Sequence, residues 1–250
     1  MTTESKEYIT FEEAKEGYKK MMKVVKRLLG DAELNLENGR YSSSLSLTIL
    51  ALEELAKADY FRLKIGEKKG LTKSEWNKLT LGGSHDFKLN YFLDRKKVRV
   101  EKMTDENVRE LSQLAVKFGV PITYNNKDEL KLEIEMFKKI IAKFNLIKQE
   151  CFYTNWDAKN RKWNYFESRF SDKVKLAISE YLFLEAKKDY YNEKFALELP
   201  AKPFQAFNSE DWVKVEKSEN RIELAKAHQK LMKKVRINLQ LIRDTLSELE

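Results

Sequence analysis

The run YSSSLSLTILALEELAK, from Tyr41 to Lys57, decides the fold. Between Leu45 and Ala56 every residue is apolar or a small hydroxyl except Glu53 and Glu54. The run is too long for a strand and, as a helix, lacks a polar face. It is therefore expected to be a helix enclosed on most of its circumference by other helices. This enclosed helix is predicted over about 40–64, ending before Gly66.

The flanking sequence supplies the helices that would enclose it. Thr10-Phe11-Glu12-Glu13 reads as a capping box, and Asn38-Gly39 as a helix end, which predicts a helix over Phe11–Glu37. Thr72-x-x-Glu75 opens a short helix through Trp76. Gly82-Gly83-Ser84 is a break with an N-cap, placing His85 in the first turn of a helix that carries Phe87, Tyr91 and Phe92. A further helix over about 105–118 ends at Gly119 and Pro121. From Lys127 to Glu150, Leu130, Ile134, Phe137, Ile141, Phe144 and Ile147 recur at a helical period. Aromatic residues Tyr153, Trp156, Trp163 and Tyr165 flank the turn-like Asp157-Ala158-Lys159-Asn160, which predicts a short β-hairpin. Ser171 caps a helix to about Phe195, Pro200 and Pro203 mark a connector, and Ser209 and Ser218 precede a short helix and a long terminal one. The expectation is one all-α domain over 1–250, with its core over about 11–196, a small aromatic-rich hairpin insertion and a C-terminal helical extension over 209–250.

Composition agrees with that expectation. With 42% hydrophobic residues in a 250-residue chain there is enough apolar surface for one sizeable core, and 8 Gly and 3 Pro are few for a sheet protein. The single cysteine, Cys151, permits neither an internal disulfide nor a cysteine metal cluster, and two histidines argue against zinc. No metal and no cofactor is expected; any chemistry is metal-free or uses a metal held mainly by carboxylates. Met1 to Lys20 mixes Glu and Lys without an apolar core, unlike a secretory signal. The uncharged stretch Tyr41–Leu52 is far shorter than the ~20 apolar residues of a bilayer span. A cytoplasmic protein without a membrane segment is expected.

The formal net charge of +8 is unevenly distributed. Residues 1–40 carry eight basic and eight acidic groups. Residues 62–102 carry twelve Lys or Arg against five Asp or Glu, and residues 214–236 carry eight against three. These two segments contain the only histidines, His85 and His228. Clustered cations around a titratable group suit phosphate contact by counterion release, and they equally suit a Lys-rich solvated helix face.

Glu53 and Glu54 concentrate the chemistry. Each needs a partner, because an unpaired buried charge costs several kcal/mol. Lys57, one turn after Glu53, can pair with it. Glu54 projects about 100° away and needs another donor, for which His85 or Lys88 is the candidate. Glu53, Glu54, Lys57, His85 and Lys88 are thus expected to converge on one polar pocket, either as a functional site or as a structural network tying two helices together.

Asn38-Gly39-Arg40-Tyr41, then Ala51-Leu52-Glu53-Glu54-Leu55-Ala56-Lys57, then Ser84-His85-Asp86-Phe87-Lys88 resemble the AbiV branch of the HEPN superfamily, with its Glu-Glu-x-x-Lys helix and downstream His-x-x-Lys. The aromatic Tyr153 and Trp156–Trp163 stretch is similar to a segment of AbiV proteins. The resemblance implies a HEPN-like helical bundle, frequent homodimerisation, abortive infection as phage defence and, for many HEPN members, metal-independent RNA cleavage. The usual ribonuclease hallmark is an Arg and a later His on one helix with four to six residues between them. No Arg fills that window before His85, whereas Arg221 precedes His228 with six residues between, followed by Ile222 where ribonuclease members place a polar residue.

Two functions follow. In one, the chain engages a phage protein, RNA or the translation machinery through a basic helical surface, as a homodimer whose terminal helix offers Leu224, Leu231, Val235, Leu239 and Ile242. In the other, a dimeric ribonuclease uses His228 as general acid or base and Arg221 to stabilise phosphorane charge. A helical adaptor unrelated to defence is the plainer alternative.

Overall fold

The computed structural model describes residues 7–81, 155–157, 161–164 and 171–198, with individual positions between 87 and 151 and between 210 and 226. The element order is β1 (Glu7–Ile9), α1 (Phe11–Glu37), α2 (Tyr41–Gly66), β2 (Leu71–Thr72), α3 (Lys73–Thr80), β3 (Asn155–Asp157), β4 (Lys162–Asn164) and α4 (Asp172–Glu198). The fold is an all-α bundle, trimmed among the described residues by two short antiparallel ladders, β1 with β2 and β3 with β4.

Helix α1 begins where the capping box predicts. The Glu13 N–H donates to the Thr10 hydroxyl oxygen at 3.3 Å, and the Thr10 N–H donates to the Glu13 carboxylate at 2.8 Å. At its other end Gly39 takes φ +71, a conformation that costs a residue with a Cβ. The Gly39 N–H then reaches Leu36 O at 3.1 Å and the Arg40 N–H reaches Asn35 O at 2.8 Å, a Schellman closure that satisfies the last carbonyls and turns the chain into α2. Along α1, Ala14, Tyr18, Met22, Val25, Leu29 and Ala32 form one buried stripe at a 3–4 residue spacing.

Helix α2 is buried around most of its circumference, from Ser42 to Phe61. Its polar residues make that tolerable. The Ser46 hydroxyl donates to Ser42 O at 2.9 Å and the Thr48 hydroxyl to Ser44 O at 2.8 Å, so these groups are satisfied within the helix. Helix α1 lies along α2, and α4 packs against both. The close approach shows at Gly17, where an added Cβ would stand 3.0 Å from the Phe61 ring. Helix α4 is fastened to α2 by the Ser179 hydroxyl on Tyr41 O at 3.2 Å and to α1 by Lys187 on Glu33 at 2.8 Å.

Predicted bounds shift by a few residues. The enclosed helix runs two residues past Lys64, α3 continues beyond Trp76 to Thr80, and α4 continues beyond Phe195 to Glu198. The aromatic hairpin forms with Trp156 opposite Trp163. Described positions at 87–94, 105–109, 127–135 and 219–226 are helical, in line with the expected helices there. The β1–β2 ladder was not expected from the sequence: strands of three and two residues show no alternation, and their pairing joins Glu7 to Thr72.

That ladder depends on Gly70. Its N–H donates to the Glu7 carboxylate at 2.7 Å, and a Cβ there would lie 2.0 Å from Ile9 O. Gly70→Ala is therefore expected to destabilise the protein by about 1–3 kcal/mol through overpacking. Gly30→Ala, in the middle of α1 with nothing within 4 Å of the new methyl, should stabilise it by about 0.4–1 kcal/mol. Urea unfolding of the two variants with the same sign of change would refute this account of the ladder.

Candidate functional site

Glu53 sits in the middle of the enclosed helix at 2% relative exposure, so its charge has to be met by groups that other segments bring to it. Two lysines do so. Lys148 Nζ donates to Glu53 Oε1 at 2.7 Å, and Lys88 Nζ stands 3.9 Å from Glu53 Oε2. Lys88 is itself buried, and its burial lowers the ammonium pKa while Glu53 and Glu54 pull it back up and Lys57 and Lys148 oppose them. Burial disfavours the charged ammonium, and the neighbouring carboxylates offset part of that penalty.

Glu54 lies on the half-exposed side of α2 and pairs with Lys57 at 2.5 Å. This reverses the expected pairing. On helical rotation alone Lys57 is slightly nearer Glu53, but Glu53 points inward to Lys88 and Lys148 while Glu54 and Lys57 share the partly solvated side. Four of the five residues singled out from sequence, Glu53, Glu54, Lys57 and Lys88, therefore lie in one electrostatic neighbourhood, and Lys88 takes the place by Glu53 that had been assigned to Lys57. His85, Arg221 and His228, and with them the proposed ribonuclease pair, lie outside the described residues. So do Leu224, Leu231, Val235, Leu239 and Ile242.

Lys148 was missed. It belongs to a segment that also carries Lys138, Lys139 and Lys143, and periodicity cannot say which of them reaches a carboxylate 95 residues earlier. Aromatic rings stand nearby in sequence: Phe87 stacks on Tyr91 at 6.2 Å, and Tyr91 meets Tyr60 edge-on at 5.1 Å. Tyr60 in turn donates to Glu75 at 3.0 Å, and Glu75 also binds Lys64. Burial would raise the Glu75 carboxyl, but Lys64, Thr72 and Tyr60 hold it down at about 2. Among the described residues no group of three or more His, Cys, Asp or Glu side chains could hold a metal ion. Nor is any described helix long and apolar enough to cross a membrane.

The stretch that carries these residues is matched by a family model. The model for AbiV, within the HEPN class, covers residues 13–165, more than half of the chain and the whole of the Glu53 cluster. The chain belongs to the AbiV family. An AbiV protein is of the abortive-infection, HEPN type, and the helical bundle is the fold expected of one. No curated protein and no solved structure matches the chain.

The two carboxylates of this AbiV cluster should differ sharply in their energetic weight. Glu53→Ala leaves two lysines, one of them buried, without their counter-charge, and should cost about 3–5 kcal/mol. Glu54→Ala breaks a partly solvated i,i+3 pair and should cost under about 1 kcal/mol. Comparable losses in denaturant unfolding would contradict the assignment of Glu53 as the buried charge.

Proposed function

We propose that this chain is an abortive-infection antiphage defence protein that acts by binding phage or host RNA, or the translation machinery that carries it, through a basic helical surface. The observation that carries the reading is the gathering of cations in the AbiV cluster: among the described residues, the ammonium groups of Lys57, Lys88 and Lys148 are brought together beside Glu53 and Glu54. Of these three, Lys57 at 18% side-chain exposure is the most accessible, so it is the cation an approaching phosphate meets first. Lysines bind phosphate as point charges, so they recognise backbone rather than base identity. The surplus of basic residues over 62–102 extends this surface beyond the cluster.

A homodimer goes with the reading, because pairing two copies across a two-fold axis would let one RNA touch both basic surfaces. A cytoplasmic location goes with it too, since that is where phage transcripts and ribosomes are met. The family name supports defence, and the basic surplus over 62–102 supports a polyanionic partner.

The test is incubation of the purified full chain with transfer, ribosomal and messenger RNA in chelator. The expected result is intact RNA in a retarded complex whose affinity falls steeply with salt, and a Lys57→Glu variant that binds about tenfold or more weakly. RNA cut in chelator and spared by His228→Ala would replace binding with the metal-independent ribonuclease reading. RNA neither retarded nor cut would overturn both. In cells, expression should lower phage plaquing and Lys57→Glu should restore it. Light scattering should give about twice 29.6 kDa, and a mass near 29.6 kDa at micromolar concentration would remove the dimer.

A further inference from the structure

Lys88 is held differently from the other two lysines of its cluster. Lys57 closes on Glu54 at 2.5 Å, and Lys148 donates to Glu53 Oε1 at 2.7 Å. Lys88 Nζ stops 3.9 Å from Glu53 Oε2, near enough for attraction and too far for a hydrogen bond. Among the described residues it meets no acceptor at hydrogen-bonding distance. Packing sets its place instead: its neighbour Phe87 stacks on Tyr91, and Tyr91 meets Tyr60 of α2 edge-on, which seats this segment against α2. The cluster is graded in depth, with side-chain exposure of 24% at Glu54, 18% at Lys57, 13% at Lys148 and 7% at Lys88.

An ammonium carries three N–H donors and no acceptor. A buried polar group with its donors idle is costly, and where a native fold keeps one, an ion or ligand that completes it is the natural explanation. We propose that Lys88 is the inner contact of a site for a terminal phosphate, a phosphomonoester carried by the end of an RNA or by a free nucleotide. The partner rests on the RNA-binding reading given above, and the phosphate contact itself can be tested apart from it.

Depth selects the kind of phosphate. A phosphodiester within a strand has a ribose on each side and cannot be brought down to a side chain so little exposed. A terminal phosphate is tethered on one side only, so it can pass Lys57 and reach inward. It also presents three acceptor oxygens and close to two negative charges, enough to take hydrogen bonds from Lys88 while still facing Lys57. Burial weighs most heavily against the charged form of Lys88, and an anion in contact relieves that penalty where a neutral water relieves less.

The experiment measures binding of the full chain to one short RNA oligomer bearing either a 5′-phosphate or a 5′-hydroxyl, and to a nucleoside monophosphate. The phosphorylated oligomer is expected to bind about tenfold more tightly than its hydroxyl twin, and Lys88→Met should bring that ratio to about one. A monophosphate that binds as well as the oligomer identifies a free nucleotide as the source, and one that does not identifies an RNA end. A second measurement needs no variant: acetylation of the parent's lysines, read by mass spectrometry with and without inorganic phosphate. Phosphate should slow the labelling of Lys88 by about threefold or more relative to Lys20, whose side chain is 73% exposed. Both oligomers bound alike, or a preference that survives Lys88→Met, would overturn the site and leave the RNA-binding reading standing. Neither oligomer bound, with Lys88 still protected by phosphate, would keep the site and remove the RNA. If Lys88→Met does not fold, the labelling decides, and a Lys88 indifferent to phosphate overturns the site.

Discussion

A charge inside a helix bundle can be compensated only by groups the bundle itself brings within reach, and α2 is where this constraint bears hardest. Its backbone is enclosed by α1 and α4, yet it carries Glu53, Asp59 and Arg62 along its buried length. Asp59 pairs with Arg62 one turn along the helix, while the other two are met from distant parts of the chain: Glu53 by Lys88 and Lys148, Arg62 by Glu193. The apolar contacts of Leu45, Ile49, Leu52 and Leu55 supply the attraction that assembles the bundle but say little about register. The ionic contacts work the other way. They add little net stability once desolvation is counted, but each is satisfied in only one arrangement of the helices.

The two ionic sites on α2 differ in kind. Among the described residues, the lysines Lys57, Lys88 and Lys148 gather beside Glu53 and Glu54, whereas the carboxylates Asp59 and Glu193 gather on Arg62. The kinds of side chain are similar in both places; what differs is which sign predominates among the described groups and how far the site opens to water. Lys57 and Glu54 reach the surface, while Asp59 and Glu193 do not.

Much of this was legible before the structure, and the limit of legibility has a physical cause. Local devices read well: the capping boxes at Thr10 and Thr72, the stop at Asn38-Gly39 and the hairpin around Trp156 and Trp163 each depend on residues within a few positions of one another. The demand for partners at Glu53 and Glu54 was also legible, because two carboxylates in an apolar run must be compensated. Which lysine answers which glutamate was not, since the choice rests on a rotation of tens of degrees about α2 and on where later helices cross it. Lys148 and Glu193 had no local sign at all, and β1 with β2 is too short to show a period. The ribonuclease pair Arg221 and His228 lies outside the described residues.

The separation in sequence between Arg62 and Glu193 bears on how the chain is made. Helices α1 and α2 and the β1–β2 ladder are all encoded before residue 81 and can close on one another as soon as they leave the ribosome. Glu193 follows 131 residues later. At about 5–20 residues per second, the nascent chain spends on the order of ten seconds with that side of α2 uncovered. Through that interval Arg62 has only its helical neighbour Asp59, and hydration stands in for α4. The same ionic pair that would be costly to bury unpaired keeps this face wettable while it waits, so the newborn hairpin resists sticking to its neighbours until α4 arrives.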